Sequence, residues 1–196
     1  MIERATHGDL PSRHRPIESL RPLAALFLIA LAVRVTYVLL ASGLSPAPYS
    51  DALDYDQLAF NLARGAGFSL GGETGTYATA FRPPLVPWLT SLLYHVVGHR
   101  FLAALMLQCF IGALIPLQLV ALGSAMFSGG VGRTAGWLAA FHPLLVFFSG
   151  YLLTETTFCV ALLAALLASV EWVKTPRPAR ALGAGLLWGV ATLARP

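Results

Sequence analysis

Leu23 to Leu44 is an apolar run of 22 residues, and its length constrains the fold more than any other feature of the chain. A helix rises 1.5 Å per residue, so about 20 apolar residues cross the ~30 Å hydrocarbon core of a bilayer. The run also exceeds the apolar core of a signal peptide, about 7–15 residues, so an uncleaved span is expected. Composition agrees: 57% of the 196 residues are hydrophobic and 11% charged, against roughly 25% charged in a soluble domain. The net charge of +4 does not describe a nucleic-acid surface. Its basic residues are scattered between apolar segments, where they act as topology signals. Cys109 and Cys159 stand alone in apolar runs and read as small packing residues.

The expected fold is an all-α membrane protein, a polytopic helical bundle with amphipathic interfacial helices in its first extracytoplasmic loop. Residues 1–22 form a polar cytoplasmic tail, and residues 23–196 the N-terminal part of a transmembrane domain. Spans are expected at about 23–44, 101–127, 134–149, 155–173 and 181–196, with an outer loop over 45–100. Pro84 to Val97, PLVPWLTSLLYHVV, decides the count. Its 14 residues and Pro87 fall short of a crossing. Were it to cross, KTPRPAR (Lys174 to Arg180) would face outward, against the positive-inside rule. An interfacial or re-entrant helix opened by Pro83 and Pro84 is expected instead. SGGVGR reads as a short cytoplasmic turn around Arg133. The chain ends within the fifth span, so it reads as the front part of something larger.

The outer loop is too long for a connector. Within SDALDYDQLAFNLARGAGF, residues Tyr55, Leu58, Ala59 and Leu62 recur at helical spacing, with Asp54, Gln57, Asn61 and Arg64 opposite. This predicts an amphipathic surface helix closed by the Gly65 to Gly67 turn. Asp51 is either its N-cap, with Asp54 favoured in the first turn by the helix dipole, or a general base at the membrane surface. Asp56 is assigned only to the solvated side. Arg82 either snorkels or, beside the free N–H groups at the start of the next helix, builds an anion site. Arg34, in mid-span, costs about 2.5–3.5 kcal/mol unless paired or watered. Glu155 in LLTETTF and Arg195 in ATLARP fall at similar depth, as an ion pair or as part of a site facing the outer leaflet. No metal-ligand spacing, P-loop, GxGxxG or GxSxG is present.

The order of SDALDYDQLAFNLARGAGF, FRPPLVPWL, LLTETTF and GLLWGVATLARP resembles the protein O-mannosyltransferase and aminoarabinose lipid A transferase group. These are integral-membrane glycosyltransferases of the GT-C fold, and the resemblance spans about residues 22–196. It implies inverting transfer of a sugar from a polyprenyl-phosphate donor to a lipid, glycan or protein acceptor at the extracytoplasmic face of the inner membrane. The protein is then multi-pass among membrane lipids, with a cytoplasmic N-terminus and no cofactor, metal or nucleic acid. By resemblance, Asp51 is the catalytic base, and Arg82, Glu155, Arg195 and Asp54 bind substrate, Arg82 at the donor phosphate. Ala52 stands where many relatives carry a second acid, and Asp54, one turn later, is either first-turn support or a partial substitute for it. Position 194 is Ala where Thr is common. The competing readings are a transporter-like protein, to which the intramembrane Arg34 is suited, and an inactive N-terminal fragment or scaffold.

Overall fold

The computed structural model describes residues 20–72 and 75–195. The expected polar tail lies outside the described residues except for its last three, which begin the first helix. In chain order the elements are α1 (Leu20–Ser42), α2 (Asp51–Ala63), a hairpin of β1 (Ser69–Gly72) and β2 (Gly75–Ala78), α3 (Leu85–Val97), α4 (Phe101–Gly112), α5 (Leu114–Met126), α6 (Gly129–Phe141), α7 (Pro143–Phe148), α8 (Thr154–Lys174) and α9 (Pro178–Ala194). The protein is an all-α membrane protein apart from this small antiparallel hairpin. Three stretches have the length and apolarity to cross a bilayer: α1, the nearly continuous α4–α5 pair over Phe101–Met126, and α8. Their outward-facing leucines, phenylalanines and tryptophans stay exposed, as lipid contact requires.

Small residues draw α5 and α6 together. Gly132 and Gly136 lie one turn apart on α6, and a Cβ on Gly136 would come 2.9 Å from the Pro116 carbonyl of α5. A Cβ on Gly132 would meet the backbone nitrogen of Ser124 at 2.8 Å. Without an aqueous driving force between helices, such close backbone approach supplies the packing. Gln108 adds a polar tie between spans, donating Nε2 to the Leu153 carbonyl at 2.8 Å.

The region expected as one span over 134–149 is two helices. Pro143 has no N–H to continue the α6 ladder and instead opens α7, where proline is tolerated. The break leaves the Ala140 carbonyl without a helical donor, while the Ala139 carbonyl keeps the His142 N–H at 3.4 Å. Arg34, fully buried on α1, supplies that donor: its Nη1 donates to Ala140 at 3.3 Å and to its own Ala30 at 3.0 Å, and Nη2 also reaches Ala139 at 3.5 Å. A cation at a helix C-terminus also suits the dipole. Gly112 leaves room for the guanidinium, since a Cβ there would lie 3.0 Å from Arg34 Nε. Among the described residues no carboxylate pairs with Arg34. Arg133, expected in a turn, sits on α6, because Ser128 caps that helix by accepting from the Val131 N–H at 3.3 Å.

The helix over Leu85–Val97 inverts the usual amphipathic order. Val86, Thr90 and Tyr94, four residues apart, are buried, while Trp88, Leu92 and Val96 on the other face are exposed. An exposed apolar stripe on a 13-residue helix fits the edge of a bilayer and is too short to cross it. Pro84 at the start of α3 and Gly98 at its end, with φ near 80°, fix its limits.

Candidate functional site

Residues Asp51 to Ala63 form the amphipathic helix that the spacing predicts, and Tyr55, Leu58 and Ala59 are buried on its inner face. Its start differs from a capped helix. Ser50 precedes it at φ 53° with no side-chain cap, and Asp51 is the first helical residue. The Asp51 carboxylate is therefore not occupied by its own backbone. Both oxygens instead accept from Arg82, Oδ1 from Nη2 at 2.7 Å and Oδ2 from Nη1 at 3.1 Å. Asp54, one turn on, accepts at Oδ2 from Nε at 3.0 Å and Nη2 at 2.9 Å. One arginine thus ties the two aspartates of one helical edge, in the bidentate geometry that only a guanidinium offers.

The fork is held from below by aromatic rings. The Arg82 guanidinium carbon lies 5.5 Å from the Tyr55 ring centroid and 4.7 Å from that of Phe81. Desolvation opposes the Arg82 charge, but the hydrogen bonds and charges of Asp51 and Asp54 outweigh it and raise its pKa. Burial likewise raises the Tyr55 hydroxyl, against the opposing charge of Arg82. The Arg82 side chain keeps 16% of its surface, whereas Asp51 keeps 57%. The acid is the open partner, and each of its oxygens retains a lone pair for a further donor.

Glu155 begins α8 and Arg195 ends α9, and their side chains meet at 3.4 Å between Oε1 and Nη1. The other Glu155 oxygen, Oε2, is closed off from solvent without a hydrogen-bond partner among the described residues. Tyr55, under the Arg82 guanidinium, also feels the charges of Glu155 and Asp51. Asp51, Asp54 and Arg82 thus form one cluster and Glu155 and Arg195 another. Lys174, Arg180 and Glu171 lie together at the far end of α8.

Sequence reasoning missed a second set. Asp56, assigned to the solvated side, is only 6% exposed. Its Oδ1 accepts from the Tyr94 hydroxyl at 2.5 Å and its Oδ2 meets His99 Nε2 at 2.9 Å. An ionised carboxylate has no proton to give, so the imidazole Nε2 is the donor. Burial, and then the Asp56 carboxylate, raise the Tyr94 pKa. His99 stacks on Phe60 with ring centroids 4.3 Å apart. Asp56 therefore clasps α2 to α3 and to the turn before α4. Asn61, placed on the polar face from sequence, is buried too and donates to the Ser69 carbonyl at 2.7 Å, anchoring the hairpin. The available signal was the helical position of Asp56, two residues from the Asp54 edge and so on a different face.

Among the described residues no three of His, Cys, Asp and Glu converge as metal ligands. No curated protein and no solved structure matches the chain. The family model described as dolichyl-phosphate-mannose-protein mannosyltransferase matches residues 81–196, more than half of the sequence. The matched region holds Arg82, Glu155 and Arg195 and begins after Asp51 and Asp54. With that extent of match, the chain belongs to the dolichyl-phosphate-mannose-protein mannosyltransferase family.

Proposed function

We propose that the Arg82 fork is the donor end of a glycosyltransferase site on the extracytoplasmic face, and that Asp51 is its general base. The reaction is inverting transfer of a sugar from a polyprenyl-phosphate carrier to an acceptor hydroxyl. Family membership supports a glycosyltransferase-like function. The observation that carries the finer reading is Arg82 held by two carboxylates at an open rim.

The chemistry requires little beyond placement and charge. The leaving group is a phosphate, already a stable anion, so no strong general acid is needed. The acceptor oxygen must attack the anomeric carbon from the side opposite that phosphate. As the new C–O bond forms and the C–O–P linkage breaks, the acceptor proton passes to Asp51 and the electron pair leaves with the phosphate. Arg82 then stabilises the departing charge. Without donor, Arg82 is engaged by Asp51 and Asp54. A phosphate is a better bidentate partner, and its arrival draws Arg82 away from Asp51 and frees the base. Donor binding and base activation are coupled through one side chain. Glu155 Oε2 supplies an acceptor for a sugar hydroxyl, and Arg195 orients that carboxylate.

The buried Arg34, to which the transporter reading appeals, is occupied by α6 carbonyls. The direct test is transfer of radiolabelled sugar from polyprenyl-phosphate donors in membranes carrying the full-length enzyme, with Asp51 intact or changed to Asn. Loss of transfer with normal membrane insertion supports the assignment. Normal turnover in the variant removes it.

A further inference from the structure

Next to Asp51 lies a cleft of different chemistry. A cavity of about 250 Å³ is walled by Tyr37 and Ser42 of α1, Pro46 and Tyr49 of the following loop, and Tyr151 before α8. A smaller cavity of about 170 Å³ shares Tyr49 and Tyr151 and reaches Asp51. The larger cavity is lined by no ionisable group stronger than a phenol. Three tyrosines therefore line the larger cavity, and two of them also line the smaller one beside Asp51.

The rings are packed as a unit. Tyr49 and Tyr151 meet edge to face at 5.7 Å, Tyr151 lies 4.7 Å from Phe147, and Phe147 is 6.4 Å from Tyr37. A belt of interfacial tyrosines would be spread around the bundle perimeter; these three line one cavity, Tyr37 and Tyr151 half-buried and Tyr49 exposed at its rim. Gly150 makes the arrangement possible, because a Cβ there would fall 2.9 Å from the Tyr37 ring. Ser50, the only non-glycine residue at positive φ among the described residues, is the joint between Tyr49 and Asp51. Such strain persists only where the surroundings over-determine it, and it clusters at functional sites.

The two sides of Asp51 are distinct. Asp51, Asp54 and Tyr55 meet Arg82, while Ala52, about 100° further round the helix, lines both tyrosine cavities. A phosphate suits the first side. The second offers flat apolar ring faces edged by hydroxyls and no cation, which complements a neutral ring whose C–H face stacks and whose hydroxyls hydrogen-bond. Each cavity is smaller than the ~300–1,000 Å³ that encloses a drug-sized ligand, so the space is that of a single sugar ring.

We infer that this tyrosine cleft is the acceptor subsite and that the acceptor presents a neutral sugar ring, its hydroxyl delivered to Asp51 from the side away from Arg82. The inference rests on Asp51 as base, and it names the acceptor as a glycan rather than a peptide or a bare lipid alcohol.

The test uses the full-length protein in nanodiscs, with methyl α-mannoside and methyl β-galactoside as probes read by saturation-transfer NMR, and polyprenyl phosphate binding measured in parallel. Tyr49 is more than half exposed, so Tyr49→Ala leaves the helices packed; Tyr151→Phe is the conservative companion. The wild-type protein is expected to bind a glycoside, and Tyr49→Ala to weaken it about tenfold, the loss of one aromatic face. Polyprenyl phosphate affinity stays unchanged in both tyrosine variants, which also shows that they are folded. Absence of glycoside binding to the wild type, or equal binding in the tyrosine variants, overturns the inference. Displacement of the glycoside by a sugar-loaded donor but not by polyprenyl phosphate also overturns it, since the cleft would then hold the donor's sugar. Failure of polyprenyl phosphate to bind while the glycoside does refutes the donor reading instead.

Discussion

Arg34 and Arg82 present the same guanidinium in two settings. Arg34 is wholly buried, and its hydrogen bonds run to carbonyls of α1 and α6. Arg82 keeps part of its surface, and its bonds run to two carboxylates on one edge of α2. Carbonyls at a helix end cannot leave, so Arg34 is fixed for as long as the bundle is folded. Carboxylates at an open rim can be replaced by another anion, so Arg82 can change partners. The character of an arginine here is set by whether its acceptors are exchangeable.

Substitutions at four positions probe that contrast and the packing around it. Asp51→Asn in the full-length enzyme is expected to reduce kcat by about 10²–10⁴-fold, the usual contribution of a positioned base, with stability lowered by no more than about 0.5 kcal/mol, as for an exposed ion pair. A turnover assay beside a melting curve separates the two. Arg34→Leu is expected to do the reverse. It leaves the Ala140 carbonyl without a donor at about 1–3 kcal/mol, partly offset by removing a buried charge. The result is a loss of about 2 kcal/mol in reversible unfolding, with activity per folded molecule retained. Were Arg34→Leu to abolish transfer in folded protein, the structural role given to Arg34 would be wrong.

Asp56→Ala tests the clasp between the α2 and α3 helices. Tyr94 and His99 lose their acceptor, and a cost of about 1–2 kcal/mol is expected, with faster hydrogen exchange in α2. Asp56→Asn, which can still accept from Tyr94, recovers much of it. The smallest effect belongs to Asp54→Asn. Arg82 retains its pair with Asp51, so stability moves by about 0.5 kcal/mol, as for an exposed ion pair. Donor binding then changes by less than about threefold, read by titration with polyprenyl phosphate.

Much of the site could be read from the chain because its residues sit at the ends of periodic segments. Asp51 opens a helix with a clear apolar stripe, and Arg82 stands directly before paired prolines. Glu155 and Arg195 were placed at one depth by counting along antiparallel spans, and they meet in the structure. What periodicity could not reveal was pairing across the sequence. Asp56 finds partners 38 and 43 residues away; its place in DALDYDQ sets its face but not those partners. Arg34 finds its carbonyls 105 and 106 residues away, at a break made by Pro143. That proline was visible, but not which side chain would answer the carbonyls it exposes. The hairpin within the outer loop carries no clear strand signal, because its strands are short and glycine-rich and β2 is exposed. Its order derives from Asn61, a tertiary contact.

The exchange of Arg82 from carboxylate to phosphate is best tested by polyprenyl phosphate affinity in the full-length protein, measured for the wild type, Arg82→Ala and Asp51→Asn. Removing the guanidinium is expected to weaken binding by at least about tenfold, the loss of one charge-assisted contact. Asp51→Asn, which leaves Arg82 less firmly held, is expected to tighten it. Equal affinity in all three proteins would contradict the account.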